Sequence, residues 1–374
     1  MKKYVIASII FNIHAMVLGQ NVYELEPTVV TATRYPKNIM DITRTIIIID
    51  SSEINKCTSV SEILKISAGV DMKLRGDGVQ ADPSIRGSTF QQVLIMIDGL
   101  RINDPQTGHH NLNIPIPLSE IERIEILQGT ASSLYGSDAC GGVINIITKK
   151  QSGIAGRLGL GSFGYKEGAG RLATDKISFG FDTKFSDGRQ PGYEYSLYNA
   201  SIKSNFDIAN NKVMLQAGYL NKKFGAKNFY APYPSWEKNQ AFIITLNNQW
   251  VISPYFMLNP TLIFRTHIDT FILDRDNPEF YANRHQSFTY GAQLISHLDL
   301  NKFGYILSGT EIFKDSLNST RLGPHEQWRT ALFFQGERGF FNKRLILIAG
   351  SRADFYSNFG NTMNPHFSLA YRAF

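Results

Sequence analysis

From residue 154 onward the chain alternates apolar and polar residues with a period of two, and this rhythm narrows its possible folds more than any other feature. In 177–186, Ile177, Phe179, Phe181 and Phe185 alternate with Ser178, Gly180, Asp182 and Lys184. In 242–250, Phe242, Ile244, Leu246 and Trp250 alternate with Ile243, Thr245, Asn247 and Gln249. In 287–299, Phe288, Tyr290, Ala292, Leu294 and Leu298 alternate with Ser287, Thr289, Gln293, His297 and Asp299. Successive side chains of a strand point to opposite faces, so each stretch is a strand with one apolar and one polar face. After the first twenty residues no apolar run approaches the roughly 20 residues that a membrane-crossing helix needs. Aromatics make up 12% of the chain and concentrate after residue 155. Apolar outside and polar inside is the pattern of a membrane barrel, whereas a soluble sandwich would bury its apolar face. Tight turns near 175–176, 207–211, 252–253, 301–302 and 341–343 take turns with longer links at 187–194, 223–238, 268–285 and 315–327. The reading is about twelve membrane strands.

The first 150 residues follow a different logic. Residues 1–19 join Lys2 and Lys3 to an apolar stretch from Val5 to Leu18 and a small-residue site ending at Gly19, the pattern of a secretory signal peptide. Asn12, His14 and the shortness of the apolar core argue against an anchor. Thr45–Asp50 reads as a buried strand. Ser59, with Glu62 three residues on and Val60, Ile63 and Leu64 on one face, starts a helix. Val93–Ile97 is a strand closed by an Asp98-Gly99 turn. Residues 120–150, EIERIEILQGTASSLYGSDACGGVINIITKK, read as strand, turn, short helical turn, a Gly141-Gly142 pair that allows close backbone approach, and a second β-branched strand.

That last string closely resembles the end of the plug domain of TonB-dependent outer-membrane receptors. Ile85-Arg86-Gly87 and Val93–Gly99 match two further strand motifs of the same family. Gln128 stands where many members carry arginine, and Cys140 where an aliphatic residue is usual. The resemblance implies a membrane all-β protein, an antiparallel transmembrane β-barrel preceded by an N-terminal α+β plug, with domains at 20–34 (Ton box segment), 35–150 (plug) and 151–374 (barrel). It implies about twelve of the family's twenty-two strands, so the chain is read as incomplete at its C-terminus. Phe374 lies out of phase with Phe367, Leu369 and Tyr371, as if the chain were cut within a strand. Glu26, Thr28, Val29, Val30, Thr31, Ala32 and Thr33 resemble the Ton box, an exposed β-prone handle that would bind the TonB energy-coupling complex by strand addition. Arg86 corresponds to a plug arginine that contacts barrel glutamates.

The resemblance further implies a transporter in the outer membrane of a Gram-negative bacterium, surrounded by outer-membrane lipid, with no catalytic residues and no cofactor. The cargo would be cobalamin or another corrinoid, because Phe224–Tyr230 and 264–278 look like cobalamin-receptor relatives. A ferric siderophore is the alternative, and a non-transporting surface receptor or adhesin, or a non-functional truncated receptor, is the alternative of another class. A surface lipoprotein partner is left open. Substrate contacts are expected on two polar loops, 75–84 and 101–113, through Asp77, Gln80, Asn103, His109, His110 and Asn111. No metal site is expected: adjacent histidines point apart and no third ligand stands at a recognisable spacing. Nucleic acid is set aside because the +6 charge is spread with no basic block. Cys57 and Cys140, the two cysteines, are expected to remain thiols packed among other residues despite an oxidising compartment.

Overall fold

The computed structural model describes residues 28–371 apart from 77 and 210. The expected signal peptide, Glu26, Asp77 and Phe374 lie outside the described residues.

Two short strands, β1 (Thr28–Val29) and β2 (Lys37–Asn38), pair antiparallel at the start. A five-stranded mixed sheet follows, built from β3 (Ile46–Ile49), β6 (Val93–Ile97), β7 (Leu100–Arg101), β8 (Ile121–Gln128) and β9 (Gly142–Thr148) in the order β3-β8-β9-β6-β7. Only β6 and β9 run parallel. A separate hairpin joins β4 (Val70–Gly76) to β5 (Gln80–Ile85). Helices α1 (Ser51–Ile54), α2 (Val60–Ile66) and α3 (Ser132–Tyr135) are short.

Local chemistry explains these elements. Ser59 caps α2 by accepting from the Glu62 amide at 3.1 Å, while the Glu62 carboxylate turns back to the Thr58 amide at 2.7 Å. Asp98 (φ 48°) and Gly99 (φ 81°) both lie in the left-handed region, as the tight turn from β6 to β7 requires. A Cβ on Gly142 would lie 2.5 Å from the Leu127 carbonyl, so glycine there lets β9 seat against β8. Ile85, Ile95, Ile124, Ile126, Ile144 and their neighbours form one apolar core around this sheet.

Twelve antiparallel strands in sequential order make the second sheet: β10 (Gly153–Leu160), β11 (Lys166–Ala173), β12 (Ile177–Ser186), β13 (Tyr195–Ile208), β14 (Asn211–Gly225), β15 (Trp236–Ser253), β16 (Phe256–Ile272), β17 (Ala282–Asp299), β18 (Tyr305–Ser319), β19 (Gly323–Phe340), β20 (Leu345–Tyr356) and β21 (Gly360–Tyr371). The sheet wraps the plug without closing on itself. Its inner face supplies Ile243, Ile263 and Phe313 to the plug core. The alternation holds: Phe179 and Phe181 face outward, exposed, while Ser178, Asp182 and Lys184 between and beside them are buried.

Links at one end are shorter than expected. The stretches 223–238, 268–285 and 315–327 shrink to 226–235, 273–281 and 320–322, because their polar residues continue the two-residue rhythm and extend the ladder. β15, β17 and β19 each reach 18 residues, well beyond the roughly ten that a tilted strand needs to cross a bilayer. The expected loop at 75–84 is likewise mostly hairpin, with Gln80 inside β5.

Candidate functional site

Two interfaces between plug and wall carry the chemistry, one at each end. At the first, residues 28–34 lie against β8 and β9. The Glu125 carboxylate, fully buried, accepts from the Val30 amide (3.0 Å), the Thr31 amide (2.8 Å) and the Thr31 hydroxyl (2.6 Å). Tyr135 donates its hydroxyl to the Thr31 carbonyl at 2.9 Å, and the Asn145 amide donates to the Thr31 hydroxyl at 2.9 Å. Arg123 holds Glu125 at 2.8 Å and reaches the Thr28 carbonyl at 3.4 Å. The exposed handle expected here is corrected: Val29, Thr31, Ala32 and Thr33 are buried, because a carboxylate placed inside the sheet satisfies the segment's amides. The sequence carried a signal for this. Glu125 and Asn145 interrupt two apolar runs and stand directly opposite each other in the β8–β9 ladder.

Beyond Thr33 the segment meets the wall. Arg34 pairs with Glu311 of β18 at 2.7 Å and lies over the rings of Tyr135 and Phe333. Arg352 of β20 shares Glu311 at 2.7 Å, holds Asp354 at 2.9 Å and donates to the Leu134 carbonyl at 2.9 Å. Tyr35 and Lys37 both reach Glu337. Arg86, whose barrel glutamates the family resemblance puts on strands past residue 374, is exposed, and its guanidinium lies 3.5 Å from Gln128 within the plug.

At the other end the plug loop 101–113 is pressed against β15, β16 and β17. Asp104, buried, accepts from Arg265 (3.0 Å) and Ser287 (2.9 Å) and faces His267 at 3.2 Å. Burial works against its charge, but Arg265 and His267 hold its carboxyl well below the usual carboxylate range. Asn113 donates to Asn239 at 2.7 Å. His110 lies between Glu237 and Asp269, Nδ1 at 4.0 Å from one and Nε2 at 3.7 Å from the other. Burial opposes a charge on His110, yet Asp269, Glu237 and Asp104 together raise its pKa above an ordinary imidazole.

Several expected substrate contacts are therefore spent internally. Asn103 accepts from the Ile95 amide (2.7 Å) and donates to the Val93 carbonyl (3.1 Å), finishing the edge of β6. Asn111 accepts from the Asp104 amide at 2.9 Å. Gln80 is buried beneath Tyr230, whose hydroxyl donates to it at 3.0 Å. His109, half-buried, faces Asp82 at 2.9 Å and stacks on Phe90 at 4.4 Å. The two histidines do point apart. Cys57 is buried and Cys140, contrary to expectation, is exposed, its thiol donating to the Ser137 carbonyl; both are free.

What this end does offer is aromatic surface. Tyr193, Phe229, Tyr230, Phe271 and Tyr281 form a chain of ring contacts with centroids 5.3–6.4 Å apart, running across the links 187–194, 226–235 and 273–281. Arg75 of the plug hairpin lies over Tyr230 and donates to the Phe229 carbonyl at 2.8 Å.

Comparison with known proteins gives a consistent picture. Residues 38–143 match the TonB-dependent receptor plug domain. The chain is 39% identical over 127 residues to the vitamin B12 transporter BtuB of Photobacterium profundum, covering 33% of this chain and 21% of that protein. It is 30% identical over 239 residues to that of Vibrio vulnificus, covering 62% and 36%. The chain thus spans about a third or less of the curated relatives it matches. Among solved structures, the siderophore receptor PirA of Pseudomonas aeruginosa superposes with a TM-score of 0.67 at 20% identity, covering 86% of this chain and 58% of that one. The unliganded ferric citrate transporter FecA superposes at 0.68 with 12% identity, covering 89% and 60%.

Proposed function

We propose that the chain, whose residues 38–143 match a TonB-dependent receptor plug, is such a receptor and serves energised uptake of a corrinoid across an outer membrane, with residues 26–33 as the handle pulled by TonB. The observation that carries the reading is the clasp on Thr31. A segment near the N-terminal end is held by backbone amides on one buried carboxylate, an arrangement that docks a strand firmly and still lets it peel away. Once released, Thr28–Thr33 has the β-prone backbone needed to add to the sheet of a partner, after β1 gives up its pairing with β2.

The corrinoid assignment rests on the sequence relatives, since the solved receptors share only the fold at their identities. The aromatic chain around Tyr230 supports it: a large conjugated ring system packs on aromatic faces. Cells lacking their own cobalamin receptor and expressing this sequence with its sheet closed by the remaining barrel strands of a cobalamin receptor are expected to bind and accumulate cyanocobalamin. Deleting residues 26–33 is expected to abolish accumulation and leave binding intact. Accumulation without the handle would overturn the coupling role. Saturable binding of a ferric siderophore in place of cyanocobalamin would overturn the cargo and leave the coupling role standing.

A further inference from the structure

His110 is far in sequence from Glu237 and Asp269, yet the three meet at the plug–wall interface, all buried. One ligand atom from each lies within 4.8 Å of the others. The strand ladder sets this up. Glu237 and Asn239 share the inner face of β15, and Asn239 stands directly opposite Asp269 of β16. The Asn239 amide donates to Glu237 and to Asp269, both at 2.9 Å, so one side chain orients both carboxylates. Asn113 of the plug donates to the Asn239 oxygen, and Lys222 of β14 in turn holds Asn113. On the plug side, the 3-10 turn Gly108–His110 is capped by the Thr107 hydroxyl, which fixes where the imidazole enters.

A second observation points into the cluster. His110 Nδ1 is buried without a hydrogen-bond partner and faces the Glu237 carboxylate at 4.0 Å. That gap is too long for a hydrogen bond. Two ligands of one tetrahedral ion with bonds of about 2.0–2.2 Å stand roughly 3.3–3.6 Å apart, so a closure of about half an ångström seats an ion between these two groups. Oriented carboxylates with an amide behind them and an imidazole with a free nitrogen are the donors and outer partners of a metal site.

We propose that His110, Glu237 and Asp269 bind one divalent transition-metal ion of zinc type, which ties the plug loop to the barrel wall. One imidazole and two carboxylates suit zinc; calcium and magnesium take oxygen ligands alone. The ion joins His110 on the loop to two strands of the wall, so the loop leaves the wall only by giving up a metal bond. The site is independent of which cargo the receptor carries.

The full chain, extracted in detergent and stripped with chelator, is titrated with zinc by calorimetry and with cobalt(II) by visible absorption. One zinc per chain and cobalt d–d bands are expected. His110→Gln and Asp269→Asn are each expected to weaken zinc roughly tenfold or more, and His325→Gln, at the exposed start of β19, to change nothing. No saturable zinc binding, unchanged affinity in both variants, or calcium competing on equal terms would overturn the site. If His110→Gln does not fold, X-ray absorption of the zinc-loaded unaltered chain decides: an imidazole in the shell supports the proposal, and oxygen ligands alone refute it.

Discussion

Where the chain enters, the plug is held through the backbone of a short segment, Val30 and Thr31 on Glu125; at the opposite end it is held through side chains of a closed loop, Asp104 and His110 against β15–β17. The two grips differ in how they fail. Bonds to a terminal segment break one after another, each worth about 0.5–1.5 kcal/mol, or about 1.5–3 where a charge takes part. Asp104 takes three partners on two strands of a rigid sheet, and those bonds break together or not at all. A pull on the N-terminal segment therefore meets the weaker grip first, and the loop end stays closed until the segment is free.

The largest effect is expected where the first grip meets the wall. Arg352→Met leaves Glu311 and Asp354 buried with one cation fewer, a loss of about 3–5 kcal/mol. The plug of that variant should be cut by protease at concentrations that spare the unaltered protein. Next comes Glu125→Gln, which removes the charge from the clasp and should cost about 1.5–3 kcal/mol of docking. A spin label at residue 30 should then become mobile while one at residue 105 stays fixed; equal mobility at both would mean that the two ends are not separate grips. Thr31→Val removes one hydroxyl and should loosen the segment by about 1 kcal/mol, with a correspondingly smaller gain in label mobility. Smallest for the fold, Tyr230→Ala should leave unfolding unchanged within about 1 kcal/mol, since its ring is partly exposed, and reduce cargo affinity.

How much of this was legible beforehand varies with range. The two-residue rhythm marked the wall strands and which face each presents, and the Asp98-Gly99 turn and Ser59 cap were plain from neighbouring residues. The lengths of the links were not, because polar residues past the membrane zone keep alternating and either a loop or a longer ladder suits them. Asn103 and Asn111 looked like ligand contacts, since a polar loop reads the same whether its side chains face a cargo or complete their own backbone.

Sequence by itself determined the kinds of element, the apolar and polar faces of the wall, and the string at 120–150 that resembles the end of a receptor plug domain. Periodicity and turn chemistry act within a few residues, so they are written locally. Only the tertiary structure decided that Thr31 lies on Glu125, that Arg34 and Arg352 share Glu311, and that His110 meets Glu237 and Asp269. Each of those contacts joins residues far apart along the chain. They arise only when a wrapped sheet and an enclosed plug bring the partners to one place, where burial makes every unmatched charge costly.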